Sequence, residues 1–252
     1  MAAIASALRL GQRATIRGRR FLNLHEYQSA QILAAGGVTV PRGIAATTVE
    51  ECVKAAEQLK GDEVVIKSQI LAGGRGLGTF TNGFQGGVHV IPKSQTEEYA
   101  QKMIGQTLVT KQSGPEGKPV NTVLMAEKMD LVNEMYFAIL LDRAFGGPVV
   151  IACAEGGTSI EDLAEKYPEK IKKVPIDIVA GMTDQQASDI VDALEISGSK
   201  PAAIEQVKAL YGVFRDSDCT MVEVNPLAED SNGTLIAADA KLGFDDNTAF
   251  RQ

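Results

Sequence analysis

Lys67 closes the apolar run Val64-Val65-Ile66. The stretch that follows, from Ser68 to Gly78, contains Gly73, Gly74, Gly76 and Gly78 with Arg75 among them. Glycine lets backbone N–H groups approach an anion closely, and a lysine and an arginine bring positive charge to the same place. These residue types suit the cradling of phosphate, and on their own they equally suit an ordinary turn. Two widespread phosphate signatures are absent. The Walker pattern needs Gly-Lys before Ser or Thr, where this chain has Gly76-Leu77-Gly78-Thr79, and the dinucleotide fingerprint counted from Gly74 meets Thr79 at its third glycine position.

A second set of residues could hold a hard cation. Glu223 and Asn225 are two apart on an expected strand and so share a face. Asp239 follows beyond the turn Ser231-Asn232-Gly233, where it can come near Asn225. A carboxylate, an amide oxygen and phosphate oxygens form an oxygen set suited to Mg²⁺, which keeps waters and takes few protein ligands. The same residues also read as a turn at Asn225-Pro226 and a solvated strand aspartate.

The elements expected to position these groups form an α+β pattern. Asn23 with Glu26 reads as a capping box that opens a helix ending near Gly36-Gly37, which makes His25 and Glu26 helix-start residues without chemistry. Thr48 caps a helix reaching Lys60, Glu63 to Gln69 is the strand that delivers Lys67, Val88 to Ile91 is a short strand, and Ser94 opens a third helix. Val123 to Met129, Tyr136 to Arg143 and Val149 to Ala154 are expected to pair as an antiparallel meander. Ser159 to Lys166, Thr183 to Leu194 and Lys200 to Phe214 read as helices, and Cys219 to Asn225 with Thr234 to Lys241 as a hairpin.

With 252 residues, 44% of them hydrophobic, the chain can bury one large core or two. The formal charge of −7 argues against nucleic acid as a partner, and no run of about 18 apolar residues predicts a membrane span. Cys52, Cys153 and Cys219 are dispersed without metal-ligand spacing, which fits a reducing compartment. Residues 1–20 carry Arg9, Arg13, Arg17, Arg19 and Arg20 and no acid, the composition of a mitochondrial transit peptide. Its removal would take the formal charge from −7 to −12, so an acidic mature chain would need local cations such as Lys67 and Arg75 to hold an anion.

Residues 21–252 resemble the first part of the β subunits of succinate–CoA ligase (succinyl-CoA synthetase). The resemblance rests on Asn23-Leu24-His25-Glu26-Tyr27-Gln28, Ala72-Gly73-Gly74-Arg75-Gly76, Met103-Ile104-Gly105, Asp142-Arg143, Glu155-Gly156-Gly157, Glu223-Val224-Asn225-Pro226 and Phe250-Arg251-Gln252, in that order. It implies a two-lobed ATP-grasp fold, with one lobe at 41–129 and the other at 21–40 plus 130–252. It also implies a flavodoxin-like CoA-ligase domain beyond Gln252, bearing the succinate loop and much of the α-subunit contact.

The activity implied is the reversible conversion of succinate, CoA and ATP to succinyl-CoA, ADP and phosphate in the mitochondrial matrix. The resemblance implies an α subunit that supplies CoA binding and a histidine that carries phosphate; neither His25 nor His89 has a nucleophile's setting. The resemblance places Lys67, Gly74, Arg75, Gly76, Glu127 and Glu134 at the nucleotide, Asn225 and Asp239 on magnesium, and Glu223 beside the phosphohistidine. Pro41 stands where the family's ATP-preferring members have proline, which cannot donate to a guanine carbonyl, so ATP is expected over GTP. Leu77 stands where the family commonly has lysine, and the lost charge-assisted contact is worth roughly 1.5–3 kcal/mol. Two other readings stay open: a nucleotide-binding form without turnover, and a related ligase acting on another acid such as malate.

Overall fold

The computed structural model describes residues 24–158 and 160–251. The expectations for residues 1–20, Asn23 and Ser159 fall outside them. The chain divides into two compact units, one of His25–Gln28 with Pro41–Asp130, the other of Ser29–Val40 with the chain from Leu131 onward. Helix α1 (Glu26–Ala35) contributes its first residues to the former and the rest to the latter.

The Pro41–Asp130 unit is built on a four-stranded antiparallel sheet. Its strands, in spatial order, are β1 (Gly43–Ala46), β7 (Val123–Glu127), β2 (Glu63–Ser68) and β4 (Val88–Pro92). A smaller sheet joins β3 (Thr79–Phe80), β5 (Thr107–Val109) and β6 (Lys118–Pro119). Helices α2 (Val49–Gln58) and α3 (Thr96–Met103) cover the core, where Cys52, Ala56, Ile66, Ile91, Met103 and Met125 are buried together. The start of α2 follows from local chemistry: the Thr48 hydroxyl accepts the Glu51 N–H at 3.2 Å, satisfying a donor the first turn leaves unpaired.

The other unit has a six-stranded sheet. In it β10 (Lys172–Pro175), β9 (Gly147–Cys153), β8 (Leu131–Asp142) and β11 (Cys219–Asp230) run in that order, and β11 then pairs with both β12 (Leu235–Ala237) and β13 (Ala240–Phe244). One face packs on α5 (Asp184–Ala193) and α6 (Lys200–Asp216) through Phe137, Ile139, Val222 and Val224. The opposite face carries Tyr136, Ala138 and Ile151 with the short helix α4 (Ile160–Lys166). A full capping box starts α5, with Thr183 and Gln186 exchanging side-chain and backbone bonds. Among the described residues no helix is long and apolar enough to cross a membrane.

Two expectations need correction. Val123 to Met129 does not join a meander with the next two strands: the hydrogen-bonding edges of β7 are taken by β1 and β2, whereas β8 pairs with β9 and β11. The final hairpin is also longer. β11 continues through Asn225-Pro226 to Asp230, and the expected partner strand is broken at Ala238-Asp239 into β12 and β13.

Candidate functional site

β2 alternates as a half-buried strand must, with Val64, Ile66 and Ser68 toward the core and Lys67 on the other face. Lys67 Nζ lies 2.7 Å from Glu26 Oε1. The Arg75 guanidinium donates to Glu26 Oε2, and Gln69 Nε2 donates to the same oxygen at 3.3 Å. All three charged side chains are largely buried, Glu26 most of all at 6% exposure. Burial by itself would push the Glu26 carboxyl up. The charges of Arg75 and Lys67, with hydrogen bonds from Lys67 and Gln69, outweigh burial and hold the group below the usual carboxylate range. The neighbouring His25 imidazole is lowered by burial first and by the Arg75 charge second.

The loop that presents Arg75 is tied down by its own backbone. Arg75 begins a short 3₁₀ turn through Leu77, entered from Gly74 in the left-handed region at φ 72°. Arg75 O accepts the N–H groups of Gly78 at 3.2 Å and Gly87 at 2.8 Å, and the Ser68 N–H bonds Gly87 O at 2.7 Å. The Gly86-Gly87 pair thus links the loop to the end of β2. A side chain at Gly74 would meet the Gln112 carboxamide, whereas Gly76 faces open space and Leu77 is 96% exposed. In the same unit Pro41 precedes Arg42, whose carbonyl accepts the Glu127 N–H at 2.9 Å. The Glu127 carboxylate accepts the Lys60 N–H at 3.1 Å and lies 3.7 Å from the Arg42 guanidinium.

Glu134, Glu223, Asn225 and Asp239 belong to the other unit. Glu223 pairs in register with Ala138 on β8, and its Oε1 accepts the buried Tyr136 hydroxyl at 3.0 Å. Burial first, and the Glu223 charge second, push that phenol upward, so it stays a proton donor. At Asn225 the ladder shifts register, and the Asn225 N–H donates to Asp239 O at 2.9 Å. The Asn225 carboxamide reaches the loop after β9, accepting the Gly157 N–H at 2.9 Å and donating to Thr158 O at 2.8 Å. Gly156 lies so close to the Met135 backbone that a Cβ would come within 2.4 Å of it, and a Cβ on Gly157 would meet the Glu134 carboxylate. Glu134, Gly157, Asn225 and Asp239 therefore form one neighbourhood, with Glu223 and Tyr136 farther along the same strands.

The donor chemistry fits a hard cation with few protein ligands: an amide oxygen at Asn225 and a carboxylate at Asp239, on segments joined by a backbone bond. No group of three His, Cys, Asp or Glu suited to a metal occurs among the described residues.

Glu26 is the residue the sequence reading missed. The helix begins at Glu26 itself, so its carboxylate is not three positions past a cap and turns instead to Lys67 and Arg75. A signal existed in principle: two cations on a buried strand end and its loop need a counter-charge, but nothing local shows which acid supplies it.

Residues 23–229 match the family described as the ATP-grasp domain. The chain belongs to that family. The chain is 58% identical over 236 residues to the mitochondrial β subunit of ADP-forming succinate–CoA ligase of Arabidopsis thaliana, covering 92% of this chain and 56% of the relative. It is 46% identical to the mitochondrial β subunit of GDP-forming succinate–CoA ligase of Mus musculus, covering 93% of this chain and 54% of the relative. The chain thus spans a little over half the length of these relatives. The ATP-grasp fold is shared with the dinucleotide-forming acetyl-coenzyme A synthetase 1 of Ca. Korarchaeum cryptofilum at a TM-score of 0.66 and 18% identity, over 94% of this chain and 98% of that one.

Proposed function

We propose that this chain is the nucleotide-binding part of a mitochondrial succinate–CoA ligase β subunit, acting in the matrix with an α subunit. It would bind Mg-ATP and exchange phosphate with a histidine of that subunit, in the reversible formation of succinyl-CoA, ADP and phosphate from succinate, CoA and ATP. The observation that carries this reading is the convergence of Lys67 and Arg75 at a glycine loop, in a chain 58% identical to such a β subunit.

In this reading Lys67 and Arg75 counter the phosphate charge and the Gly74-Arg75-Gly76 backbone approaches the phosphates. Glu134 lines the nucleotide site, Glu127 contacts base and ribose, and Pro41 bears on the choice of base. Asn225 and Asp239 hold Mg²⁺, which when bound neutralises charge on the phosphate oxygens. Glu223, held by Tyr136, orients the incoming histidine. The chain's own contribution is positioning and charge stabilisation, as in phosphoryl transfer generally. ATP is favoured over GTP on the strength of Pro41.

Titration calorimetry with Mg-ATP and Mg-GTP tests the first half: ATP should bind more tightly, and the Lys67→Ala/Arg75→Ala double variant should lose binding. Incubation with γ-phosphate-labelled ATP tests the second. The chain alone should take up no label, and with an α subunit the label should appear on the α chain. Label on this chain alone, or binding unaffected by the double variant, overturns the reading.

A further inference from the structure

The two cations of the glycine loop are not independent. Lys67 comes from the end of β2 and Arg75 from the 3₁₀ turn, and both converge on one buried carboxylate, with Oε1 of Glu26 bonded to lysine and Oε2 to arginine. Glu26 is itself fixed. It is the first residue of α1, Gln69 Nε2 donates to its Oε2, and Gln69 Oε1 accepts the N–H of the adjacent Tyr27 at 3.3 Å. The Gln69 N–H in turn bonds Thr122 O at 3.0 Å. Helix start, strand end and loop are thereby joined through a single side chain.

We propose that Glu26 is a positioning residue for a nucleoside polyphosphate, holding the Lys67 ammonium and the Arg75 guanidinium at fixed points from which both address the same phosphate chain. This deepens the nucleotide-binding reading above and rests on it. Long, flexible Lys and Arg side chains lose rotamer freedom on binding, and a ligand must offset that loss unless the protein has already imposed it. Two cations drawn to one place also repel each other. A carboxylate bonded to both offsets that repulsion. An ammonium has three donors and a guanidinium five, so one carboxylate does not exhaust their capacity.

The sign of one substitution decides between positioning and simple charge balance. Glu26→Gln keeps the shape, removes the negative charge and raises the local net charge. If Glu26 were only a competitor for the cations, ATP would bind more tightly. If it positions them, ATP binding weakens despite the added positive charge, by about tenfold or more, the scale on which removal of a partner behind a direct contact acts.

Calorimetry on the full chain with AMP, ADP and ATP should show the loss growing with the number of phosphates. A merely structural defect would weaken all three alike. Glu26→Asp retracts the carboxylate by one methylene, and it should show the same phosphate-dependent loss in smaller degree, which also serves if the Gln variant does not fold. Tighter or unchanged ATP binding in Glu26→Gln, or an equal loss for all three nucleotides, overturns the proposal. Failure of the unsubstituted chain to bind ATP, or binding that survives loss of Lys67 and Arg75, overturns instead the reading beneath it.

Discussion

Asn225 holds Gly157: its Oδ1 accepts the Gly157 N–H at 2.9 Å, while its Nδ2 donates to the next carbonyl, that of Thr158, at 2.8 Å. The carboxamide therefore grips the loop after β9 with both of its ends, and a carboxylate cannot do the same. Asn225→Asp preserves an oxygen for Gly157 but sets it against the Thr158 carbonyl. A loss of about 1–2 kcal/mol is expected, from one broken bond and one unfavourable oxygen pair. Urea unfolding of the variant measures it, and an unchanged midpoint would show that the loop is held by other contacts.

Glu229 is fully buried and accepts from Ser197 N, Ser197 Oγ, Gly198 N and Asn133 Nδ2, at 2.7 to 3.0 Å. Burial favours its neutral form, but these donors outweigh burial and hold the carboxyl below its usual range. A depressed folded value means that the stabilisation is fully present above the unfolded value, about 4.3 for a glutamate, and is lost as pH falls through the lower folded value. Glu229→Gln should flatten that acid limb. It should also cost about 2–3 kcal/mol at neutral pH, because an amide turns N–H groups toward N–H donors. Denaturant midpoints collected from pH 3 to 7 report both effects.

Gly74 and Gly76 flank Arg75 but face different demands. Gly74 sits at φ 72° with Gln112 where a Cβ would go, whereas Gly76 faces open space without a positive φ. Gly74→Ala should cost about 1–2 kcal/mol for the left-handed backbone alone. Gly76→Ala should stay within about 0.5 kcal/mol of the parent. Equal denaturation midpoints for the two variants would refute the distinction.

Leu77, at the exposed end of the same turn, can be changed without touching the core. Leu77→Lys should leave stability within about 0.5 kcal/mol. If a lysine there reaches the phosphates, ATP affinity should rise about ten- to a hundredfold, one charge-assisted hydrogen bond in size. Unchanged affinity would show that Lys67 and Arg75 already meet the need.

The three cysteines are buried free thiols, and burial pushes Cys52 and Cys219 up to about 12. A thiol held so far above neutral pH offers almost no thiolate for attack. An aromatic disulfide reagent should therefore label Cys52 and Cys219 only on unfolding, and rapid native labelling of either would contradict their burial.

Local chemistry was legible in the sequence by itself. Thr48 and Thr183 start helices because a hydroxyl beside unpaired N–H groups acts within one turn, and the alternation of Glu63 to Ser68 sets Lys67 on a different face from Ile66 because a strand repeats every two residues. The glycine loop and its cations were visible for the same reason. Only the tertiary structure decided which edges β7 would bond, since adjacent strands in sequence offer hydrogen bonds to any partner and burial selects among them. It alone revealed Glu26, which lies 41 residues from Lys67 and 49 from Arg75. No local pattern marks a carboxylate as their counter-ion, because the attraction acts through space and depends on where helix, strand and loop come to rest.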